Sequence, residues 1–283
     1  MLNQTFRDFE ILVVDGASAD NTKEVISEFD DPRIHYIRQK NDRGVSAARN
    51  LGIIRSRGEF IAFLDDDDLW MPRTLEKQFG LLNRKPWIGA VTSSCFLIRK
   101  DGRLLGFWRP SMRGNIYPKI LEGNRIGNCS GVMVRRSCFD AVGLFDENLR
   151  AGEDWDMWIR LAKKCEFDKI DEPMFLYRIH EKRLSRNPYL KLQAARLIFD
   201  KFLPDTNLSA NRTEALKRWH FRFGQLYLEY GDKRRAKEEF TKAINMDPYF
   251  LSSYLHLFLS FFGTKSYDIS RKILESARLV NPN

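Results

Sequence analysis

The chain has 283 residues, of which 43% are hydrophobic, 13% aromatic and 30% charged. That balance excludes a disordered or low-complexity chain and leaves room for one sizeable α/β domain with a smaller companion. A net charge of +9, from 47 lysines and arginines against 38 aspartates and glutamates, favours anionic partners, but no RNP, zinc-finger or basic-helix pattern speaks for nucleic acid.

The first hundred residues alternate short apolar runs with helical patterns, the signature of βαβ units and a mainly parallel sheet. Residues 9–15 (FEILVVD) read as a buried strand, 22–29 as a helix, 33–38 as a strand, 45–56 as a helix and 59–65 (EFIAFLD) as a further strand. Two of these strands end in carboxylates, at Asp15 and at Asp65 to Asp68, and ligands of such folds bind beyond the carboxyl ends of the strands. Residues 88–100 form a longer strand that turns at Asp101-Gly102 into LLGFW. A helix starts at Glu153, because Trp155, Trp158, Ile159 and Ala162 share one face at helical spacing.

After about position 187 the pattern is helical only, and residues 219–282 repeat with a period of 34: Ala236 recurs as Ser270, Ala243 as Ala277 and Pro248 as Pro282. That period, with Gly224, Tyr227, Gly231, Asp232, Ala236, Phe240, Ala243 and Pro248 in matching places, resembles the tetratricopeptide repeats. Copies are expected at about 219–252 and 253–283, inside a helical region spanning 187–283 that could dock a protein partner.

Four consecutive aspartates, Asp65 to Asp68, repel one another strongly unless they are solvated, cap backbone amides or hold a cation. Hard oxygen ligands suit Mg²⁺ or Mn²⁺ shared with substrate phosphates. By itself the run is divided between that reading and the capping of a helix at Leu69 or Arg73. Glu153 and Asp154, at the start of their helix, likewise read as first-turn carboxylates favoured by the helix dipole, which would keep Asp154 ionised at neutral pH.

Four strings in order, DFEILVVDGASADNT, GVSAARNLGI, GEFIAFLDDDDLWMP and GEDWDMWIRLA, resemble the GT-A fold family 2 glycosyltransferases over residues 1–186. The resemblance implies a Rossmann-like mixed sheet of the nucleotide-diphospho-sugar transferase type, and an inverting transfer of sugar from a nucleotide diphosphate sugar to an acceptor hydroxyl. Its Asp-x-Asp motif falls on Asp65, Asp66 and Asp67. Asp67 is then the expected direct metal ligand, with Asp65 or Asp66 toward the ribose or the metal's waters and Mn²⁺ or Mg²⁺ as cofactor. Asp154 matches the catalytic base and Glu153 its neighbour at the acceptor or the helix end. Asp15 matches an acidic position near the base, and Arg49 with Asn50 ties a helix to the nucleotide pocket. Arg178 and His180 fall in a segment near the diphosphate, where Arg178 can clamp phosphate and His180 can complete a metal shell.

The family pattern opens with a strand and helix ahead of Leu2 that have no counterpart here, so a shortened first unit is expected. Gly16 stands where many members carry a second Asp that contacts uracil; a UDP-sugar remains the expected donor, and a glycan or lipid-linked acceptor in cell-surface polysaccharide synthesis the expected recipient. A scaffold using the helical repeats is the competing reading. The nearest approach to a spanning helix, residues 250–262, is shorter than the roughly 18–20 apolar residues required and carries Ser252, Ser253, His256 and Ser260. The expected place is the cytoplasm, with peripheral contact at the inner face of the membrane. Cys95, Cys129, Cys138 and Cys165 form no Cys-x-x-Cys pair and read as buried free thiols of a reducing compartment.

Overall fold

The computed structural model describes residues 1–180, 187–204 and 209–262. The chain divides into two compact units: the first holds Met1–Tyr117 and Arg125–His180, the second Pro118–Asn124 and the described residues after position 186.

In the first unit, the β-branched run ILVVD forms β1 (Ile11–Asp15), parallel to β2 (Ile34–Arg38) with Ile11 opposite Ile34 and Asp15 opposite Arg38. The crossover carries α1 (Thr22–Ser27), as parallel pairing requires. Sequence reading expects a strand buried throughout here, but only Ile11 and Asp15 are buried. Among the described residues β1 has a strand partner on one edge only, so its middle stays partly exposed. α2 (Val45–Arg55) follows, burying Ser46, Ala47, Asn50 and Ile53 at helical spacing.

The remaining strands build a second, mixed sheet in the order β3-β7-β5-β8-β4, with β6 on β5. They are β3 (Phe60–Ala62), β4 (Leu69–Trp70), β5 (Ile88–Arg99), β6 (Leu104–Trp108), β7 (Met133–Arg135) and β8 (Glu166–Ile179). Only β5 and β8 pair in parallel; the other ladders are antiparallel. The mainly parallel sheet expected for the first hundred residues is therefore confined to β1 and β2. The strand expected over 59–65 also stops early, because the chain leaves the sheet after Ala62, turns through the aspartates and re-enters as β4 beside β8.

No helix starts at Leu69; α3 is Thr74–Arg84 with Arg73, not an aspartate, as its N-cap residue, and its Leu75 amide donates to the buried Gln4 Oε1 at 3.0 Å. Leu75 and Leu82 of α3 pack with Ile88, Val91 and Met133 of the sheet, and Phe6, Phe9, Phe60 and Phe79 close around them. α4 (Arg136–Val142) leads to α5 (Glu153–Ala162). The expected face of α5 is buried, and Met157 and Leu161 join it. Trp158 is fully enclosed, with its indole N–H donating to the Gly127 carbonyl at 3.0 Å.

The second unit is helical: α6 (Pro188–Phe202), α7 (Ser209–Tyr230), α8 (Lys233–Met246) and α9 (Leu251–Phe262). α7 turns into α8 at Gly231, whose φ of 97° suits glycine, and the Asp232 carboxylate accepts the Arg235 amide at 2.9 Å as an N-cap. The lack of a side chain at Gly224 lets α7 approach α8, since a Cβ there would lie 2.5 Å from the buried Phe240 ring. The turn Lys119–Glu122 belongs to this unit, its Glu122 pairing with Arg218 at 3.0 Å. Residues 263–283, which hold most of the second expected repeat, lie outside the described residues. No helix among the described residues is long and apolar enough to cross a membrane.

Candidate active site

The aspartate turn joins β3 to β4 and is held in place from below. Ser130 Oγ accepts the Asp65 amide at 3.1 Å, and the Ser130 carbonyl accepts the Trp70 indole N–H at 2.7 Å. Asp68 points inward and is buried. One of its oxygens accepts the Arg178 amide at 2.9 Å from β8, and the other accepts Asn128 Nδ2 at 3.0 Å. Burial, reinforced by the charges of Asp67 and Asp65, pushes the Asp68 carboxyl up to about 6.

Carboxylate oxygens of Asp65, Asp67 and Asp68 lie within 4.8 Å of one another. Oxygen ligands of a hard divalent cation stand about 2.0–2.6 Å from it, so these three can surround one ion, and their chemistry suits Mg²⁺ or Mn²⁺ better than a soft metal. His180, at the end of β8, contacts Asp67 Oδ2 through Nε2 at 2.9 Å. Asp66 is exposed at the tip of the turn.

Arg49 of α2 joins this turn to α5. Its Nη2 donates to Asp65 Oδ1 and its Nη1 to Glu153 Oε1, each at 2.7 Å, with the side chain 11% exposed. Glu153 opens α5, after Gly152 in a left-handed conformation at φ 72°, and Asp154 is the next residue. Asp154 Oδ1 accepts the Trp155 amide at 2.6 Å. The helix dipole was expected to keep this carboxyl ionised at neutral pH. Instead burial, then the Glu153 charge, pushes it up to about 7, outweighing that amide and the Arg49 charge.

Other expected site residues are placed differently. Asp15, at the end of β1, is buried and accepts the Tyr36 hydroxyl, the Ser18 amide at 2.7 Å and Arg38 Nη1 at 2.9 Å. The Tyr36 hydroxyl leads in holding its carboxyl down at about 2. Asn50 exchanges two hydrogen bonds with the backbone of Phe145, at 2.8 and 2.9 Å, tying α2 to the loop before α5. The Arg178 guanidinium spends Nε on the Asp67 carbonyl at 2.9 Å and Nη1 on the Lys100 carbonyl at 3.1 Å. Sequence reasoning left Asn128 and Ser130 unnoticed, since neither carries a charge nor belongs to a motif.

This cluster lies in a chain whose sequence is matched over residues 1–143, half its length, by the family profile Glycosyl transferase family 2. A second profile, Glycosyltransferase like family 2, matches residues 113–210. The chain belongs to glycosyl transferase family 2. It is 36% identical over 180 residues to an uncharacterized glycosyltransferase of Rickettsia felis, covering 63% of this chain and 29% of that protein. It thus spans under a third of the length of the first curated relatives it matches. It is 29% identical over 195 residues to the Escherichia coli UDP-Glc:alpha-D-GlcNAc-diphosphoundecaprenol beta-1,3-glucosyltransferase WfgD, covering 68% of this chain and 74% of that one.

Among solved structures this family 2 chain superposes on the mannosyltransferase PcManGT from Pyrobaculum calidifontis, determined in complex with GDP-Man and Mn²⁺. The TM-score is 0.60 at 17% identity, over 89% of this chain and 71% of that chain. The likeness establishes the GT-A type of mixed α/β fold. Within it, the aspartate turn and the start of α5 are the two carboxylate-bearing ends that Arg49 brings together.

Proposed function

We propose that the chain is a metal-dependent, inverting glycosyltransferase that moves a sugar from a nucleotide diphosphate sugar to an acceptor hydroxyl. The observation that carries this is the two-armed Arg49, which holds Asp65 of the aspartate turn and Glu153, next to Asp154, against one guanidinium. A donor seat and a base for the acceptor are thereby held beside one another.

Asp154 takes the proton of the acceptor hydroxyl as that oxygen bonds to the anomeric carbon and the bond from this carbon to the diphosphate breaks. Attack opposite the departing diphosphate inverts the centre. A divalent cation, Mn²⁺ or Mg²⁺, would supply Lewis-acid neutralisation of the leaving diphosphate. Asp65 and Asp67 would hold it, with His180 beside Asp67; Asp68 and Arg178 fix the backbone of the turn. Asp66 and Asp15 remain the contacts for ribose and base. Asp15 is held ionised there, and Arg49 keeps Asp65 aimed at the nucleotide.

The donor is a UDP-sugar and the acceptor a lipid-linked glycan, a reading supported by the name of the 29% identical E. coli relative. It places the protein in cell-surface polysaccharide synthesis, in the cytoplasm or at the inner membrane face. The helical unit includes a tetratricopeptide-like repeat, supported by the Gly224–Phe240 contact and the Gly231-Asp232 turn between α7 and α8, and it would dock a protein partner.

The deciding experiment compares wild type and Asp154→Asn for donor binding with Mn²⁺ and for single-turnover transfer. We expect near-normal binding and a loss of transfer on the order of 10²–10⁴-fold. If wild type binds donor but transfers nothing to any hydroxyl acceptor or water, the scaffold reading replaces this one.

A further inference from the structure

We propose that Cys138 and Cys165 form a dithiol site that closes to a disulfide by exchange with a low-molecular-weight disulfide. Cys138 lies in α4, directly after β7, and Cys165 directly precedes β8. Both strands flank β5, with Ala90 opposite Val134 of β7 and opposite Phe167 of β8. The register with β8 slips between Ile88 and Ala90, which puts Gly89 at the irregularity and between the two cysteines.

A side-chain carbon on Gly89 would stand 2.4 Å from Cys165 Sγ and 2.7 Å from Cys138 Sγ. The two sulfurs therefore share the space that any other residue would fill. Their mutual interaction lowers the Cys138 thiol below its usual range and raises that of Cys165. Cys138 Sγ approaches the Gly89 carbonyl at 3.7 Å and Cys165 Sγ the Leu161 carbonyl at 3.4 Å. Both residues are only half-buried, where the sequence reading expects all four cysteines buried, so they are the more accessible pair. Cys95 and Cys129 are buried, and burial pushes their thiols up, that of Cys95 to about 12. Access and the space shared at Gly89 thus single out one pair among four cysteines, and the lowered thiol marks Cys138 as its attacking member.

The chemistry balances within the pair and its oxidant. The Cys138 thiolate attacks one sulfur of the small disulfide, whose S–S bond breaks and expels the first small thiol. The Cys165 thiolate then attacks Cys138 Sγ, forming the protein disulfide and expelling the second. Two electrons pass to the small disulfide, and the two protein thiol protons end on the two released thiols. Closure requires the sulfurs to come together across the space at Gly89 to a bond of about 2.05 Å.

The test uses glutathione disulfide on the folded protein. We expect wild type to lose two of its four reactive-thiol equivalents on unfolding in a thiol assay, its mass to fall by two hydrogens, and mapping to link the peptide of Cys138 to that of Cys165, all reversed by dithiothreitol. Cys138→Ser and Cys165→Ser should each instead retain glutathione as a mixed disulfide at the remaining partner. The proposal fails if wild type keeps all four thiols, accumulates a stable mixed disulfide without the link, or links either cysteine elsewhere.

Discussion

Arg49 and Glu153 stand 104 positions apart in sequence and meet at 2.7 Å. The same guanidinium reaches Asp65 at 2.7 Å, so a single side chain of α2 sets the distance between the aspartate turn and the first turn of α5. An Arg can do this because its planar fork presents donors in two directions at once.

Replacing Arg49 should therefore cost both stability and activity. In Arg49→Ala, Asp65 and Glu153 lose their shared partner in a largely enclosed position, which we expect to cost about 2–3 kcal/mol in denaturant unfolding. Arg49→Lys restores the charge but not the two-way fork, so it should recover part of that stability and less of the donor affinity. Equal recovery of both would mean that charge alone matters and that Arg49 does not set the geometry.

The metal assignment predicts cation-dependent donor binding. Calorimetry of a UDP-sugar in Mn²⁺ or Mg²⁺ should give binding that excess chelator abolishes, and Asp67→Ala should weaken it by at least roughly tenfold. His180→Ala should do the same to a smaller degree, through the lost contact with Asp67 Oδ2. Binding that is identical with chelator and with either variant would remove the metal from the site.

Much of this arrangement was legible in the sequence, and the parts that were not share a cause. Asp65 to Asp68, Glu153 and Asp154 announce themselves by charge density at element ends, and Trp155, Trp158 and Ile159 by helical spacing. Partnerships across the fold leave no local trace: nothing around Arg49 points to Glu153, and nothing in the NCSG string at 128–131 points to the aspartates. Strand ends were lost for a similar reason. Phe63 and Leu64 are as apolar as the residues of β3, but the pairing of β4 with β8 draws the chain out of the sheet before them. The upward push on the Asp154 carboxyl is not legible in the sequence, because the helix dipole is readable there, whereas burial is not.

The helical unit offers an independent check on packing. Gly224 faces the enclosed Phe240, with room for no further carbon. Gly224→Ala should gain helix propensity yet destabilise the unit by about 1–3 kcal/mol through overpacking. Thermal melts of the variant and of Gly224→Ala with Phe240→Leu would tell: the second change should restore part of the loss. A stabilised single variant would mean that α7 and α8 can separate at no cost.

The raised Asp154 carboxyl predicts two pH dependences of opposite sense. As a base, Asp154 works only when ionised, so single-turnover transfer at limiting metal should climb with pH up to about 7, where the group half-ionises, and level off above. Saturating divalent cation favours the carboxylate and should move that limb to lower pH. As a contributor to stability, the same group acts the other way. Its folded value lies above the ordinary 3.8, so the folded state holds its proton more tightly than the unfolded chain. That contribution is complete below about pH 4 and is lost as pH rises through about 7. Asp154→Asn does not titrate, so its stability relative to wild type should grow between pH 5 and pH 8 while its transfer rate shows no rising limb. Melts and single-turnover assays across that range check both. A variant whose relative stability is flat with pH would show that Asp154 is ionised throughout in the folded protein, and a rising rate limb retained by the variant would place the base elsewhere, with Glu153 next in line.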